Sequence, residues 1–317
     1  MRYGLVLYAT LLHGYVAAQN YPEKSVTLIA PFSAGGSVDL VARAVAQQMS
    51  EWWKHPVIVS NRPGASGNLG VEVVVRAPPD GHTLLMGTTA LSTSKALYPK
   101  LTFDPASDLA PVGLVVTMTN VLVVHPSLPV NSVKALLVLT KAQPGTLSSA
   151  SAGVGSSNHL SLVLFNMLSK VNIGHVPYKG AAPAVTDVMG GHVAMTFAPI
   201  AAIVPHVKSS RLRALGVTAG VRSSLFPALP TIAESGVPGY SAAGWNALFA
   251  PRATPRALIL RVHTAMTESL AAARVREALA NSGADAAGST PDEFAAFFTS
   301  EIAKWGSVVR AAGIAAE

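Results

Sequence analysis

From Val26 onward, short runs of β-branched and aliphatic residues alternate with stretches whose apolar positions recur at helical spacing. Val26–Ala30 predicts a buried strand, and Ser37–Met49 predicts a helix that is capped by Ser37 and has one apolar face. Val57–Val59 predicts a second strand, which is followed by a helical stretch that ends at Val75, and Thr83–Met86 predicts a third strand. This β-α-β-α-β order indicates a parallel sheet with right-handed crossovers.

The same alternation occurs again in the middle of the chain. The predicted elements, in order, are Val121–Val124 (strand), Asn131–Lys141 (helix), Ser148–Ser151 (strand), His159–Leu168 (helix), His175–Tyr178 (strand), Pro183–Met189 (helix), Val193–Phe197 (strand) and Leu212–Val217 (strand). Two such sheets in succession predict an α/β protein of two lobes with a cleft between them. We therefore expect lobe 1 to comprise residues 19–124 and 240–317, and lobe 2 to comprise residues 125–239.

The C-terminal part of the chain has the pattern of two amphipathic helices. Thr254 and Pro255 predict the start of the first helix, with Thr254 as its cap. The second helix begins with a capping box, Thr290–Glu293, and carries Phe294 on its apolar face. Because this part lacks enough strands for a third domain, we expect both helices to pack on the first lobe. Trp245 and the Phe294 face are expected in its core.

The first residues of the chain have the features of a secretory signal peptide. Arg2 supplies a positive charge, Leu5–Val16 is largely apolar, and Val16–Ala18 offers small residues for cleavage. A signal peptide at residues 1–18 predicts a periplasmic protein, and an unprocessed N-terminal anchor is the alternative. Proline, glycine and polar residues interrupt the other uncharged stretches, so these predict buried strands and short helices rather than membrane spans.

The amino-acid composition and the motif content exclude several classes of protein. The chain of 317 residues has no cysteine, which excludes thiol catalysis, iron–sulfur clusters and cysteine zinc sites. Its 9 histidines lie singly, and the catalytic, P-loop and dinucleotide motifs are missing or incomplete. We therefore expect no metal, no cofactor and no catalytic residues. The net charge of +7 comes from scattered basic residues rather than from a basic patch, which argues against nucleic acid as a partner.

Glycine-rich turns follow the predicted strands in both lobes. They are Pro31–Ser37, Asn61–Gly67 and Gly87–Thr89 in the first lobe, and Ser151–Ser157 and Tyr178–Ala182 in the second. Ligands of open α/β sheets collect at the carboxyl ends of strands, where glycine lets a ligand approach the backbone closely. Free N–H groups at the start of a helix favour an anion there. The turns therefore predict a site for a small anionic ligand between the lobes.

Three titratable residues beside these turns have more than one interpretation. Asp39 lies in the first turn of the first predicted helix, where a carboxylate stabilises the helix dipole. It can also orient waters or a ligand amine in the cleft. His159 and His175 are expected to be structural. A catalytic site assembled from distant residues stays open as an alternative, which would make the protein a secreted hydrolase or isomerase that uses the same cleft.

A resemblance to a known family rests on segments spread over the predicted mature chain. They are Tyr21-Pro22, Pro31–Arg43, Asn61–Gly70, Pro79–Leu85, Ser151–Leu160, His175–Asp187, Pro230–Tyr240 and Trp245–Pro255. In these segments the chain resembles the Bug-type extracytoplasmic solute receptors of bacterial tripartite tricarboxylate transporters. It departs from the family pattern at His82, where tyrosine is usual, and at Ser66, where glycine is common.

The resemblance implies a two-lobed periplasmic binding protein of the Venus flytrap, type II-like form, with parallel-rich sheets flanked by helices. It also implies that backbone groups and ordered waters, rather than an arginine, receive one carboxylate of the ligand. The implied ligand-binding residues of the first lobe are Phe32, Ala34, Gly35, Gly36, Asp39 and Thr88. Those of the second lobe are Ser151, Gly153, Gly155, Ser156, Tyr178 and Gly180. The segment Thr88–Ser94 is expected to help select the ligand.

Together these features predict a periplasmic solute-binding protein, expected to be a monomer. It would capture a small organic di- or tricarboxylate, or a related acid, and deliver it to the membrane subunits of a tripartite tricarboxylate-type transporter. The alternative partner is a sensor kinase, to which the same receptor would report the ligand. Residue identity does not encode which acid is bound, because backbone and water contacts carry little information about ligand size.

Overall fold

The computed structural model describes residues 21–178, 180–223 and 225–314, so the predicted signal peptide lies outside the described residues. The strands are β1 (Val26–Ala30), β2 (Val57–Asn61), β3 (Thr83–Thr88), β4 (Leu109–Met118), β5 (Asn120–Val124), β6 (Ser148–Ser151), β7 (Gly174–Pro177), β8 (Met195–Pro199), β9 (Arg213–Val217), β10 (Gly244–Pro251) and β11 (Ala284–Ala286). The helices are α1 (Ser37–Trp53), α2 (Asn68–Val75), α3 (Ala90–Leu97), α4 (Pro105–Asp108), α5 (Val133–Ala142), α6 (Ser157–Ser169), α7 (Ala181–Met189), α8 (Ile200–Lys208), α9 (Arg256–Ala271), α10 (Ala273–Asn281) and α11 (Pro291–Ala311).

The first sheet has the strand order β11-β4-β10-β3-β1-β2. Strand β1 pairs in parallel with β2 and β3, as the alternating pattern predicts. Strand β10 pairs antiparallel with β3 and β4, and β11 pairs antiparallel with β4. The sequence patterns missed β4, β10 and β11, the antiparallel strands of this sheet. Strand β4 contains Pro111 and Gly113, and β10 is buried along its whole length, so neither shows the alternation of a half-buried strand.

The second sheet has the strand order β7-β6-β8-β5-β9. Strand β6 pairs in parallel with β7 and β8, whereas β5 pairs antiparallel with β8 and β9. Strand β5 thus belongs to this sheet, although the expected lobe boundary at residue 124 assigned it to the first lobe. Two sheets flanked by helices confirm the predicted two-lobed α/β class, but the sheets are mixed rather than parallel-rich, because β4, β10 and β11 in the first sheet and β5 in the second join by antiparallel pairing. Over the described ranges, no helix combines the length and the apolar character needed to cross a membrane.

The chain passes between the sheets at Thr119 and again in the segment 218–243. These two crossings are hydrogen-bonded to each other. The backbone N–H of Asn120 donates to Thr218 Oγ1 at 3.0 Å, and the N–H of Thr218 donates to the carbonyl of Asn120 at 2.9 Å. The N–H of Ala242 then donates to the carbonyl of Thr218 at 2.9 Å. The two backbone connections between the sheets are therefore cross-linked to each other.

Two of the predicted helix caps are wrong. Ser37 is the first helical residue of α1 rather than its cap, because the extended residue before the helix is Gly36, and no side chain caps it. Helix α9 likewise starts after Pro255, with no side-chain cap from Thr254. The capping box of α11 is confirmed: Thr290 Oγ1 accepts from the backbone of Glu293, whose carboxylate accepts from the N–H of Thr290.

Helix α11 packs on both sheets, rather than only on the first lobe as expected. Near its start, Phe294 and Phe298 join the core cluster of Trp245, and the predicted burial of Trp245 and Phe294 is confirmed. Near its end, Trp305 and Val309 join the core cluster of the second sheet. One helix thus contributes apolar side chains to the cores of both lobes.

A buried carboxylate joins this helix to the central strand of the first sheet. The indole Nε1 of Trp245 donates to Glu301 Oε2 at 3.0 Å, and that of Trp305 donates to the same oxygen at 2.8 Å. Lys304 donates to the other oxygen at 2.6 Å. Glu301 is only 5% exposed, so these three donors compensate the cost of burying its charge.

Replacing Glu301 by alanine is expected to lower the free energy of unfolding by about 3 kcal/mol, since two buried indole N–H groups lose their acceptor. Thermal and urea unfolding followed by circular dichroism would measure the change. Glu277→Ala is the matched control, because Glu277 is exposed on α10. Equal stability of the two variants would show that Glu301 does not link the helix to the sheet.

Candidate functional site

The turn between β1 and α1 carries four of the predicted ligand residues, Phe32, Ala34, Gly35 and Gly36. It lies at the carboxyl end of β1, beside the ends of β2 and β3, because these three strands run parallel. Residues 33–37 are exposed, and Gly35 has a φ of +80°, which glycine adopts without strain. Since no side chain caps α1, its first N–H groups are open to an acceptor from outside the helix.

Asp39 holds this turn in place. Its Oδ2 accepts from the backbone N–H of Gly35 at 2.9 Å and from Arg43 Nε at 2.9 Å, and its Oδ1 accepts from Asn61 Nδ2 at 3.0 Å. Asn61 Nδ2 also donates to the carbonyl of Phe32 at 3.0 Å, which ties the turn to the end of β2. The carboxylate is therefore bonded to the protein's own donors.

The electrostatics of Asp39 follow from these bonds. Burial by itself raises the pKa of a carboxyl group, but the hydrogen bonds from Arg43, Gly35 and Asn61 outweigh it and lower the pKa of Asp39. The same ion pair raises the pKa of Arg43. Arg43 is thus engaged by Asp39 and Asn61, whose Oδ1 accepts from Arg43 Nη2 at 3.1 Å.

A small pocket lies at the carboxyl ends of the first-lobe strands and contains two of the predicted residues, Phe32 and Thr88. Its enclosed volume is about 10 Å³, which is room for about one water molecule. The residues that line it are Pro31, Phe32, Ser66, Gly67, Asn68, Val71, Thr88, Ala90 and Leu91. Ser66 has a left-handed φ of +54°, as expected at a position where glycine is common, and its hydroxyl contacts the hydroxyl of Tyr98 at 2.8 Å.

Two buried amides beside this pocket were missed by the sequence analysis. Asn68 is the first residue of α2, is 6% exposed, and its Nδ2 has no hydrogen-bond partner within the described residues. Asn246 on β10 pairs directly with Thr88, and within the same part of the chain neither atom of its amide has a partner. An uncompensated buried amide is costly. The signal in the sequence was an asparagine within an otherwise apolar strand.

The second lobe presents the turn Ser151–Ser156, which joins β6 to α6. Ser151 Oγ accepts from the N–H of Gly153 at 3.0 Å, and Ser156 Oγ donates to the carbonyl of Gly153 at 2.7 Å. Gly153 and Gly155 have φ values of +123° and +77°, so this turn depends on glycine. Ser156 caps α6, since its hydroxyl accepts from the N–H of His159 at 3.3 Å.

Two stacked histidines support this turn from beneath. The ring centroids of His159 and His175 lie 3.9 Å apart, with 18° between the ring planes. His159 Nδ1 accepts from the N–H of Gly155 at 3.1 Å, and His175 Nε2 contacts Ser151 Oγ at 2.6 Å. Burial and the neighbouring ring lower the pKa of His159 to about 4, and burial lowers that of His175. Both rings bond to predicted ligand residues.

Tyr178 and Gly180 follow β7 at the same edge of the second sheet; Lys179, between them, lies outside the described residues. The N–H of Tyr178 donates to the carbonyl of Ser151 at 2.9 Å. Its hydroxyl donates to Asp187 Oδ2 at 2.6 Å, and this bond raises the pKa of Tyr178. Gly180 precedes α7 with a φ of +126° and open space around it.

The two sets of turns approach each other through α3. A Cβ atom on Gly155 would lie 2.8 Å from Leu97 Cδ1, so the second-lobe turn packs against the end of this first-lobe helix. The structure therefore gathers the predicted residues into two groups, one at the β1, β2 and β3 ends and one at the β6 and β7 ends. Helix α3, whose first part belongs to the segment Thr88–Ser94 that is expected to help select the ligand, lies between them.

The contact between Ser151 and His175 has the composition of a nucleophile and a base, but its surroundings differ from those of a hydrolase. Ser151 is 1% exposed, and its hydroxyl is bonded to both the N–H and the carbonyl of Gly153. Within the described part of the chain, the ring nitrogens of His175 are hydrogen-bonded to Ser151 only. The described residues contain no group of three or more metal-ligating side chains that could hold an ion.

Comparisons with known proteins agree on one family of receptors. A sequence model described as the tripartite tricarboxylate transporter family receptor matches residues 41–314. Protein BugT of Bordetella pertussis is 37% identical over 300 residues, which cover 94% of this chain and 92% of BugT. The Rhodopseudomonas palustris protein Rpa4515, solved with adipate, has a TM-score of 0.82 and 36% identity, covering 93% of this chain and 99% of that one. MatC of the same organism, solved with malate, has a TM-score of 0.80 and 32% identity, covering 91% and 100%.

Replacing Asp39 by alanine is expected to release the β1–α1 turn and to lower the free energy of unfolding by about 2 kcal/mol, the range for hydrogen bonds to a charged group. Because the folded state lowers the pKa of Asp39, its contribution is complete above the ordinary carboxyl range and is lost as the pH falls below about 4. Urea unfolding at pH 7 and pH 3 would measure both effects. A difference between wild type and variant that stays the same at pH 3 would contradict this account.

Proposed function

Since the chain belongs to the tripartite tricarboxylate transporter receptor family, we propose that it is a periplasmic receptor that captures a small organic di- or tricarboxylate in the cleft between its lobes. The single observation that carries the proposal is the pair of glycine-rich turns, Pro31–Gly36 and Ser151–Ser156, which open helices α1 and α6 from different sheets. Each supplies N–H groups at a helix start, where the helix dipole favours a negative charge.

Backbone N–H donors suit this role better than an arginine side chain. Arg43, the cation closest in sequence to the first turn, is engaged by Asp39 and Asn61. A carboxylate held by N–H groups loses little of its hydrogen bonding on leaving water, and it can be released when the lobes separate. We propose that the N–H groups of α1 that follow Gly35 and Gly36 receive one end of the ligand, and that those of α6 that follow Gly153 and Gly155 receive the other.

The proposed ligand-binding set extends beyond these glycines. It comprises Phe32, Ala34, Gly35, Gly36, Asp39 and Thr88 on the first lobe, and Ser151, Gly153, Gly155, Ser156, Tyr178 and Gly180 on the second. Asp39 acts in this set by holding the turn, and Ser151 acts by shaping the turn around Gly153. Asn68 and Asn246 are added as amides that an ordered water or a polar ligand group would satisfy.

Adipate and malate are the first candidate ligands, because the receptors solved with them match this chain over nearly its whole length. We propose that the protein binds one carboxylate of such an acid at α1 and closes by a hinge motion at the two crossings near Thr119 and Thr218. The crossings also suggest where the proposed lobes meet: among the described residues, 21–119 and 243–314 form the first lobe and those between 120 and 242 form the second.

The proposal also covers the export of the protein, its oligomeric state and its membrane partner. The protein is exported by a signal peptide at residues 1–18, acts as a monomer without a cofactor, and delivers its ligand to the membrane subunits of a tripartite tricarboxylate-type transporter. Family membership supports this delivery. Signalling to a sensor kinase is the alternative use of the same ligand-bound state, and a deletion of the transporter genes that leaves acid-dependent signalling intact would favour it.

Replacing Gly36 by leucine is expected to weaken binding of adipate or malate at least tenfold while leaving the fold intact. Gly36 has a negative φ, and a Cβ atom there meets only the carbonyl of Ser33 at 3.4 Å, so the backbone tolerates the change. Isothermal titration calorimetry with both acids would measure the affinity. Gly155 is less suitable, because its positive φ and its contact with Leu97 would disturb the fold.

Gly174→Leu is the matched control, since Gly174 is exposed on the edge strand β7 and a Cβ atom there makes only ordinary contacts, at 3.7 Å from the carbonyl of Leu147 and 3.8 Å from Ser148 Cβ. The wild type at about 100 times the dissociation constant should gain about 2.7 kcal/mol in stability from a true ligand. Equal affinity of the Gly36 variant and the control would refute the site. A folded wild type that binds no acid in a panel of mono-, di- and tricarboxylates would refute the function, and conversion of an acid observed by NMR would show an enzyme.

A further inference from the structure

The stacked rings of His159 and His175 are the direct support of the second-lobe turn. His159 is 5% exposed and bonds through Nδ1 to the N–H of Gly155, while His175 bonds through Nε2 to Ser151. These bonds fix the turn at both of its ends, with His159 buried and His175 half-buried. The pair therefore acts on a ligand only through the glycines and serines that it positions.

The geometry requires His159 to be neutral. An N–H donor points at its Nδ1, so that nitrogen must offer a lone pair and the ring proton must sit on Nε2. Protonation of Nδ1 would place two donors against each other and break the bond to Gly155. Because the rings stack at 3.9 Å, a charge on one ring also opposes a charge on the other.

We propose that His159 and His175 are positioning residues of the ligand site, and that uptake of a proton by the pair loosens the Gly153–Gly155 turn and releases the ligand in acid. This inference rests on the proposed function of the same cleft. It assigns the receptor an acid-sensitive affinity, which separates ligand capture at neutral pH from release at low pH.

The groups around the pair do not supply a compensating negative charge within the described residues. Strand β6 and helix α6 carry no acidic side chain, and Asp187 on α7 is bonded to the hydroxyl of Tyr178. Helix α11 packs on α6, and its buried Glu301 is bonded to the two indoles and to Lys304. Helix α3, which packs on Gly155 through Leu97, carries Lys95, a positive charge. The electrostatic partner of His159 is His175 itself, and burial and this partner hold the pKa of His159 at about 4.

The sign of the effect follows from this low pKa. The folded protein keeps the rings neutral, while the free histidine side chain takes up a proton near pH 6.5. The ordered turn is therefore fully present above pH 6.5 and is increasingly disfavoured as the pH falls from 6.5 towards 4. Affinity should fall over the same interval and change little above it.

The test compares variants that keep or remove the hydrogen bonds. His159→Leu removes the acceptor for Gly155 and is expected to weaken adipate binding about tenfold at pH 7.5, the equivalent of one hydrogen bond. His159→Asn places Oδ1 where Nδ1 accepts, so it should restore most of the affinity. His192→Leu, at an exposed histidine of the same lobe, is the control and should leave binding unchanged.

The pH profile tests the switch itself. The double variant His159→Asn, His175→Gln keeps an acceptor and a donor at both positions but cannot titrate. Calorimetry with adipate from pH 7.5 to pH 4 should show at least a threefold greater loss of affinity for the wild type than for this variant. The protonation of adipate itself affects both proteins equally. The ratio of their losses of affinity therefore reports only the effect of the two histidines.

The possible outcomes separate this inference from the function. Parallel pH profiles for the wild type and the double variant, or no loss of affinity in a folded His159→Leu protein, would overturn the role of the pair. NMR detection of a proton on Nδ1 of His159 at pH 7.5 would also overturn it. If the wild type binds neither adipate nor any other acid of the panel at pH 7.5, the proposed function fails instead.

Discussion

The hydrogen bonds that converge on Glu301 hold together the parts of the molecule on which the cleft depends. This buried carboxylate accepts from Trp245 on the central strand of the first sheet and from Trp305 on the C-terminal helix. Since Trp305 also packs in the core of the second sheet, one acidic group fixes the helix that contributes to both cores. The cost of burying its charge is offset only because both indoles and Lys304 donate to it.

This arrangement leaves the two sheets joined by a small number of elements. The backbone crosses at Thr119 and in the segment 218–243, where Asn120 and Thr218 bond to each other, and α11 spans both cores. Such a joint restricts relative motion to bending about one region while each sheet keeps its own core. Asp39 holds one of the glycine-rich turns against its own sheet, and the histidine pair holds the other.

Local sequence patterns predicted part of the fold and of the candidate site. The positions of the turns, the buried strands of each sheet and the capping box at Thr290 follow from local patterns, which depend on nearby residues only. The caps at Ser37 and Thr254 were predicted wrongly because several residues before a helix can serve as its cap, and the backbone selected Gly36 and Pro255. Strand β10 was missed because burial on both faces removes the alternation by which a strand is recognised.

The sequence by itself determined the α/β class, the glycine-rich strand ends and the lack of thiol chemistry, since these depend on residue type and on spacing along the chain. Only the tertiary structure decided that Asn246 lies opposite Thr88, that Glu301 joins Trp245 to Trp305, and that His159 stacks on His175 beneath the Gly153–Gly155 turn. These partners are far apart in sequence. Their contacts arise from strand pairing and helix packing, so no local pattern contains them.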